Sequence, residues 1–213
     1  MSFEEAEEHR KKGDQLYSIG RLNEAEEEYR IALSINPDHA EAHHNLGVVL
    51  ATKGDLDSAE EEIRKAITLK PNDADMHISL GTLLYEMNRF EEAESEFRNA
   101  VNLNPENIDA HISLSGVLIE QGKFEESEHE LKEAVQLAPD NADIHYLLGL
   151  VYAISGKLDE SETELNKALE LEPDHVNARK ALDSVLKEKR RMSEEHIDEQ
   201  EETDEEEHDD EEY

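Results

Sequence analysis

Apolar residues recur along the chain at steps of three and four, the spacing of one helix face. Within residues 74–107, Leu80, Leu83, Leu84 and Met87 share such a face and predict a helix over 74–87. Asp73 stands where a side-chain oxygen can accept from amides that lack a partner inside the helix. Asn88 is a stop, since Asn best replaces Gly where φ must be positive. A second helix is predicted over 91–103, with Ala93, Phe97, Ala100 and Val101 on one face, and Pro105 forbids its continuation. The segment thus reads as a helix hairpin. Gly81 and Ala100 let its two helices approach closely, and Leu80, Leu84 and Phe97 fill the space between hairpins.

The hairpin repeats. Pro37, Pro71, Pro105, Pro139 and Pro173 are each 34 residues apart. His9, His43, His77, His111 and His145 keep the same step, as do Ala32, Ala66, Ala100, Ala134 and Ala168. One glycine column is Gly13, Gly47, Gly81 and Gly149; another is Gly20, Gly54, Gly122 and Gly156, with Asn88 in the third repeat. So many aligned columns mark a repeat architecture rather than chance.

Period, small-residue columns and proline together resemble the tetratricopeptide repeat (TPR) family. The resemblance covers five repeats, 6–39, 40–73, 74–107, 108–141 and 142–175, followed by a capping helix over 176–192. It implies an all-α, right-handed solenoid. The chain departs from the family pattern in places: His stands where the family favours Trp, Ser115-Gly116 shifts a glycine by one, and Lys12 replaces the leucine of Leu46, Leu80, Leu114 and Leu148. A lysine there suits a terminal repeat with one face in water.

Charge divides the chain. Lys plus Arg number 21 against 56 Asp plus Glu, a net charge of −35. Such acidity repels phosphate backbones and excludes nucleic acid as a direct partner. Residues 179–191 carry six basic groups and two acidic ones, whereas 193–213 carry fourteen acidic groups and no basic one. With Ile197 its only aliphatic residue, the tail cannot bury enough apolar surface to offset ordering entropy and reads as disordered. No cysteine is present, which removes thiol chemistry and disulfides. The chain begins without an apolar leader, and its longest apolar stretch, 147–154, is far short of the ~20 residues of a membrane span, so a cytoplasmic protein with no membrane contact is expected.

Catalytic and metal chemistry find no support. Gly122-Lys123 is followed by Phe124 rather than Ser or Thr, and no HExxH motif occurs. Histidines one repeat apart stand ~9–10 Å from one another on stacked helices, too far to share a metal, and read as rings packed in place of the family's aromatic. The glutamates of the second helices, among them Glu60 to Glu62, Glu91, Glu92, Glu125 and Glu126, read as a solvated outer face. No enzyme, cofactor or metal site is expected.

In TPR proteins the first helices line a concave groove that receives peptide segments. Carried onto this sequence, the groove columns comprise His44, Ile78, Ile112 and Tyr146; Val48, Thr82, Gly116 and Leu150; and Ala51, Tyr85, Ile119 and Ala153, with Arg10, Asp14 and Tyr17 at the first repeat's places. The columns are spaced to share one face, apolar in repeats two to five, and an exposed apolar patch marks an interaction site. Acidic residues rim it: Glu41, Asp75, Asp109 and Asp143 on one side, Glu86 and Glu120 on the other. The TPR proteins that clamp acidic chaperone tails use Lys, Arg and Asn in the groove; Asn45 matches one such place, but Asp14, Asp75 and Ser79 stand where Asn, Lys and Arg are needed. The expected function is a non-catalytic adaptor or scaffold binding an apolar or amphipathic peptide with basic flanks. The alternative places function in the acidic tail, a chaperone-like binder of basic proteins with the repeats as docking platform. Oligomeric state and partner identity are not encoded in any motif.

Overall fold

The structure, a computed structural model, describes residues 3–209, with side chains described over 4–194. Among the described residues there are eleven helices and no strand: α1 (Phe3–Ser18), α2 (Leu22–Ile35), α3 (Ala40–Thr52), α4 (Leu56–Leu69), α5 (Ala74–Glu86), α6 (Phe90–Leu103), α7 (Ile108–Glu120), α8 (Phe124–Leu137), α9 (Ala142–Ile154), α10 (Leu158–Leu171) and α11 (Val176–Asp209). From α3 and α2 onward the starts of first and second helices each step by 34 residues, as the sequence periodicity requires. Asp73 caps α5, accepting from the amides of Asp75 and Met76 at 3.2 and 3.4 Å. The turn column adopts the left-handed backbone foreseen for it, with φ of 86° at Gly54 and 58° at Asn88, the only non-glycine residue of positive φ among the described residues. The fold is the all-α TPR solenoid.

The chain divides into two compact units, Met1–Gly122 and Lys123–Tyr213. In the first, α1 packs on α2, α3 on α4 and α5 on α6, and each second helix also meets the next first helix. Its core runs through Tyr29, Leu46, Ile63, Leu80, Leu84, Phe97, Leu114 and Leu118, all nearly inaccessible. Gly81 is required by contact rather than by φ: a β-carbon there would lie 2.6 Å from the Phe97 ring. In the second unit, α10 packs on α9 and α11, around Leu165, Ala168, Ala178 and Val185.

From His43 onward the histidine column is buried, as ring packing predicts, while His9 is half-buried, and the column's polar contacts carry a further role. His77 donates Nε2–H to the carbonyl of Pro71 at 3.0 Å, and one proton lies between its Nδ1 and Glu96 Oε2, 2.6 Å apart. His43 repeats this with Pro37 and Glu62, and His145 with Pro139 and Glu164. Each ring therefore ties the second helix of its own hairpin to the loop that enters the hairpin. In α1, the His9 Nδ1 meets Glu28 Oε2 at 2.6 Å.

This corrects the solvated outer face assigned to the second-helix glutamates. Glu61, Glu91, Glu92, Glu125 and Glu126 are exposed, but Glu26, Glu28 and Glu130 are buried and Glu60 and Glu62 are largely covered. The column of Glu26, Glu60, Glu128 and Glu162 reaches forward to a cation 27 or 29 residues on: Lys53, Arg89, Lys157 and Lys189. A charge excess that looks uniform from sequence is partly internal wiring.

The capping helix begins at Val176, where it was placed, but continues to Asp209 rather than ending at 192. No Gly or Pro interrupts residues 174–213, and Glu, Lys and Arg all favour helix, so nothing local stops the helix at 192. The disorder expected for 193–213 falls almost wholly on residues whose side chains lie outside the described ones. His175 caps α11, its Nδ1 accepting from the Ala178 amide at 3.1 Å.

Candidate functional site

In the first unit the first helices α1, α3, α5 and α7 contact one another in succession and present a common face. On it, His44, Val48, Ala51, Ile78, Tyr85, Ile112, Gly116 and Ile119 are half-buried and Thr82 is exposed. In the second unit Tyr146, Leu150 and Ala153 are half-buried on α9. No residue of the groove columns is sealed in the core. Ala51, Ile78 and Tyr85 pack by one side against the first unit's core, and Tyr146 and Ala153 against the second's. The Tyr146 ring also tilts against His175, centroids 4.9 Å apart. Gly116 has nothing within 4 Å of the place a β-carbon would take, so the backbone is open there.

Two cavities open between these helices. One, of about 270 Å³, is lined by Val48, Ala51, Ile63, Ile78 and Leu83, with Thr52, Ser79, Thr82 and Glu86 completing it. The other, of about 240 Å³, is lined by Asp14, Tyr17, Tyr29, His44, Asn45 and Val48. Val48 belongs to both. Larger clefts of about 610 and 570 Å³ lie at the loops around Pro71 and Pro139; they occupy equivalent places in two repeats and follow from loop geometry.

The smaller cavity is polar in a particular way. Asp14 Oδ1 accepts from the Tyr29 hydroxyl and from Asn45 Nδ2, each at 2.8 Å, and Arg10 donates to Oδ2 at 2.5 Å. Burial, and then the bond to Asp14, push the Tyr29 hydroxyl well above the usual phenol range, which keeps it a donor. Arg10 is shared: it also grips Glu7 through two bonds of 2.8 and 2.6 Å, which hold the Glu7 carboxyl at about 2. His44 donates or accepts at Ser79 Oγ across 2.8 Å, and burial lowers its imidazole below the ordinary value. At the far rim the Tyr85 hydroxyl donates to Glu120 at 3.2 Å, and burial first, then that bond, raise it.

Asp14 and Tyr17 stand in the groove columns and Asn45 at a clamp-type groove position, but Tyr29 and Ile63 as lining residues were not foreseen. A signal existed. Tyr29 is the polar member of an otherwise apolar column (Ile63, Phe97, Leu131, Leu165), and Asp14 departs from its own column in the same repeat. Two polar departures in one repeat are a bonded pair. Among the described residues no group of three or more His, Asp or Glu side chains is placed to hold a metal ion, and no helix is long and apolar enough to cross a membrane.

Among solved structures the chain resembles YrrB, described as a TPR protein with an unusual peptide-binding site, at 25% identity and a TM-score of 0.70 over 81% of this chain and 89% of that one. It resembles TTC0263, a thermophilic TPR protein of Thermus thermophilus, at 26% identity and a TM-score of 0.62, over 85% and 98%. PilF of Pseudomonas aeruginosa, at 20% identity, TM-score 0.74 and coverage of 89% and 92%, shares the fold. Nothing among curated proteins matches the chain. The family model described as the cilia and flagella-associated protein 70 C-terminal domain matches residues 11–213, nearly the whole chain. Repeat period, turn geometry and that match agree: this is a TPR protein, and the chain belongs to the cilia and flagella-associated protein 70 C-terminal domain family.

Proposed function

We propose that the chain is a non-catalytic interaction scaffold whose first-helix face receives a peptide segment of a partner protein. The observation that carries this is the row of half-buried apolar side chains Val48, Ala51 and Ile78, left open around a 270 Å³ cavity, with Tyr85 half-buried further along the same face. Side chains that pack by one side and face solvent by the other gain by being covered, at roughly 25 cal/mol per Å² of apolar surface. The rim supplies the partner's flanks: Glu41, Asp75, Glu86 and Glu120 favour basic residues beside an apolar or amphipathic core. YrrB offers a precedent for peptide binding on this fold.

The tail reading, an acidic chaperone-like binder of basic proteins, is the rival. Lys189, in the basic stretch before the tail, is held by Asp159 at 2.5 Å and Glu162 at 2.6 Å of the second unit, so the body engages that cation. Affinity capture decides between the two. The full chain, an Ile78→Glu variant and a chain lacking 193–213 are compared as baits in the native lysate. Partners lost with Ile78→Glu and kept on truncation support the groove; the reverse pattern assigns binding to the tail.

A further inference from the structure

We infer that the cavity between α1 and α3 is a subsite for a Lys or Arg side chain of the bound segment, paired with an aliphatic subsite one repeat further along; this rests on the groove reading above. Asp14 is the floor of the cationic subsite. A carboxylate offers about four acceptor positions. Tyr29, Asn45 and Arg10 occupy three of them, and the Asp14 side chain is still 40% exposed. Arg10 does not neutralise the site, because one guanidinium serves both Glu7 and Asp14. Around it stand Glu41, paired with Lys70, and Asp73 and Asp75, which face His44; Lys11 reaches only Glu7, at 3.7 Å. Carboxylates outnumber cations, and the fixed Tyr29 and Asn45 donors aim Asp14 without cancelling its charge. The Tyr17 ring, 38% exposed, forms the open wall, and an aromatic face attracts a cation. A cavity of about 240 Å³ accommodates a long basic side chain and little more.

The neighbouring cavity differs in kind. Val48, Ala51, Ile63, Ile78 and Leu83 make its floor apolar, suited to a Leu, Ile or Met side chain. Val48 borders both cavities, so one ligand can fill both. Packed helices stand about 8–10 Å apart, and extended peptide advances about 3.3 Å per residue, which separates the two anchors by two or three residues.

The test uses the isotope-labelled full chain and three capped hexapeptides, acetyl-Gly-X-Gly-Gly-Leu-Gly-amide, where X is Lys, norleucine or Glu. Binding is followed by amide shifts of Asp14, Asn45, Val48 and Ser79. The lysine peptide should bind at least about five-fold more tightly, the value of one well-placed ion pair, than the norleucine peptide, which keeps the four-carbon stem without the ammonium, and the Glu peptide more weakly still. Asp14→Asn should abolish the lysine preference and leave norleucine affinity in place. Tyr17→Leu, at an exposed position outside the Asp14 network, should lower the lysine peptide's affinity alone and covers the case in which Asp14→Asn unfolds. Shifts at these amides with equal affinity for Lys and norleucine overturn the cationic subsite while the groove reading stands. No shift there with any of the three overturns it as well, and the groove reading is then decided by the capture experiment.

Discussion

Glycine-to-alanine exchange in two equivalent first helices should change stability in opposite directions. Gly81 and Gly116 both lie inside helices, where alanine is favoured by ~1 kcal/mol through propensity alone. At Gly116 nothing lies within 4 Å of the new methyl, so the full gain should appear, as stabilisation of about 0.5–1 kcal/mol. At Gly81 the methyl meets three Phe97 ring carbons at 2.6, 2.7 and 3.0 Å. Phe97 is 2% exposed and enclosed by the first unit's core, so its ring can move only by displacing neighbours. Overpacking of this kind costs about 1–3 kcal/mol. The propensity term is common to both variants and cancels in their difference, which therefore isolates the steric cost at about 1–3 kcal/mol. In a chain of this size that separates the thermal midpoints by about 2–12 °C. Circular dichroism melts and urea titrations of both variants read it, with midpoints compared directly because long repeat arrays depart from two-state unfolding. Adding Phe97→Leu to Gly81→Ala should recover part of the loss, a coupling that a double-mutant cycle measures. Equal stabilisation by both alanines, or no coupling to Phe97, refutes the close approach of α5 and α6 at this point.

Other expectations concern different parts of the molecule. Ala100→Leu, at a position of zero exposure, should cost about 1–3 kcal/mol, whereas Glu61→Leu on the outer face should cost little; similar melts for the two show the faces wrongly assigned. His77→Leu should cost about 1–3 kcal/mol by stranding Glu96 and the Pro71 carbonyl, and a wild-type melt for this variant removes the clamp's structural role. The Glu7 carboxyl is held at about 2 by its bond to Arg10, below its ordinary 4.5, so its contribution is complete above the ordinary value and is lost as pH falls from 4.5 towards 2. Glu7→Gln should flatten that acid limb by no more than ~1 kcal/mol, because the pair is open to solvent, and an unchanged acid limb contradicts the pairing. Deleting 193–213 should slow association with basic partners at low salt and barely alter it at high salt; an equal loss at both salts points to specific tail contacts instead.

The architecture was legible because its signals are redundant. Proline, turn glycine and Asn88 each report the same hairpin, and one substitution cannot blur a column that four other repeats restate. The first-helix columns were singled out on a different signal, apolar residues where a one-sided helix requires polar ones, and all of them but the exposed Thr82 are half-buried in repeats two to five. What escaped were interactions between columns. That His77 meets Glu96 depends on how two helices lie side by side, and neither residue's own periodicity contains that. The second-helix glutamates were misread because composition counts charges without locating them: Glu61 is 68% exposed at its side chain and its neighbour Glu62 only 16%. The Asp14–Tyr29 pair sat in plain view as two departures in one repeat, and only their 2.8 Å contact joins them.

The histidine clamps also bear on how such a chain changes length. The rings of His43, His77 and His145 find their partners six residues back and nineteen ahead, and the glutamates of the outer ladder find theirs 27 or 29 ahead. The clamp offsets do not change from repeat to repeat and the ladder offsets take only two values, so inserting or deleting one whole 34-residue period carries each clamp and ladder residue to an equivalent partner. A segment of any other length separates a ring from its carboxylate, or a glutamate from its cation, at the splice. Tandem duplication is thus the kind of large insertion that keeps the histidine clamps and the glutamate ladder in register, while repeat-specific bonds such as Tyr29 to Asp14 are the ones it would double or lose. The array is a molecule that can be lengthened in whole units and in no others.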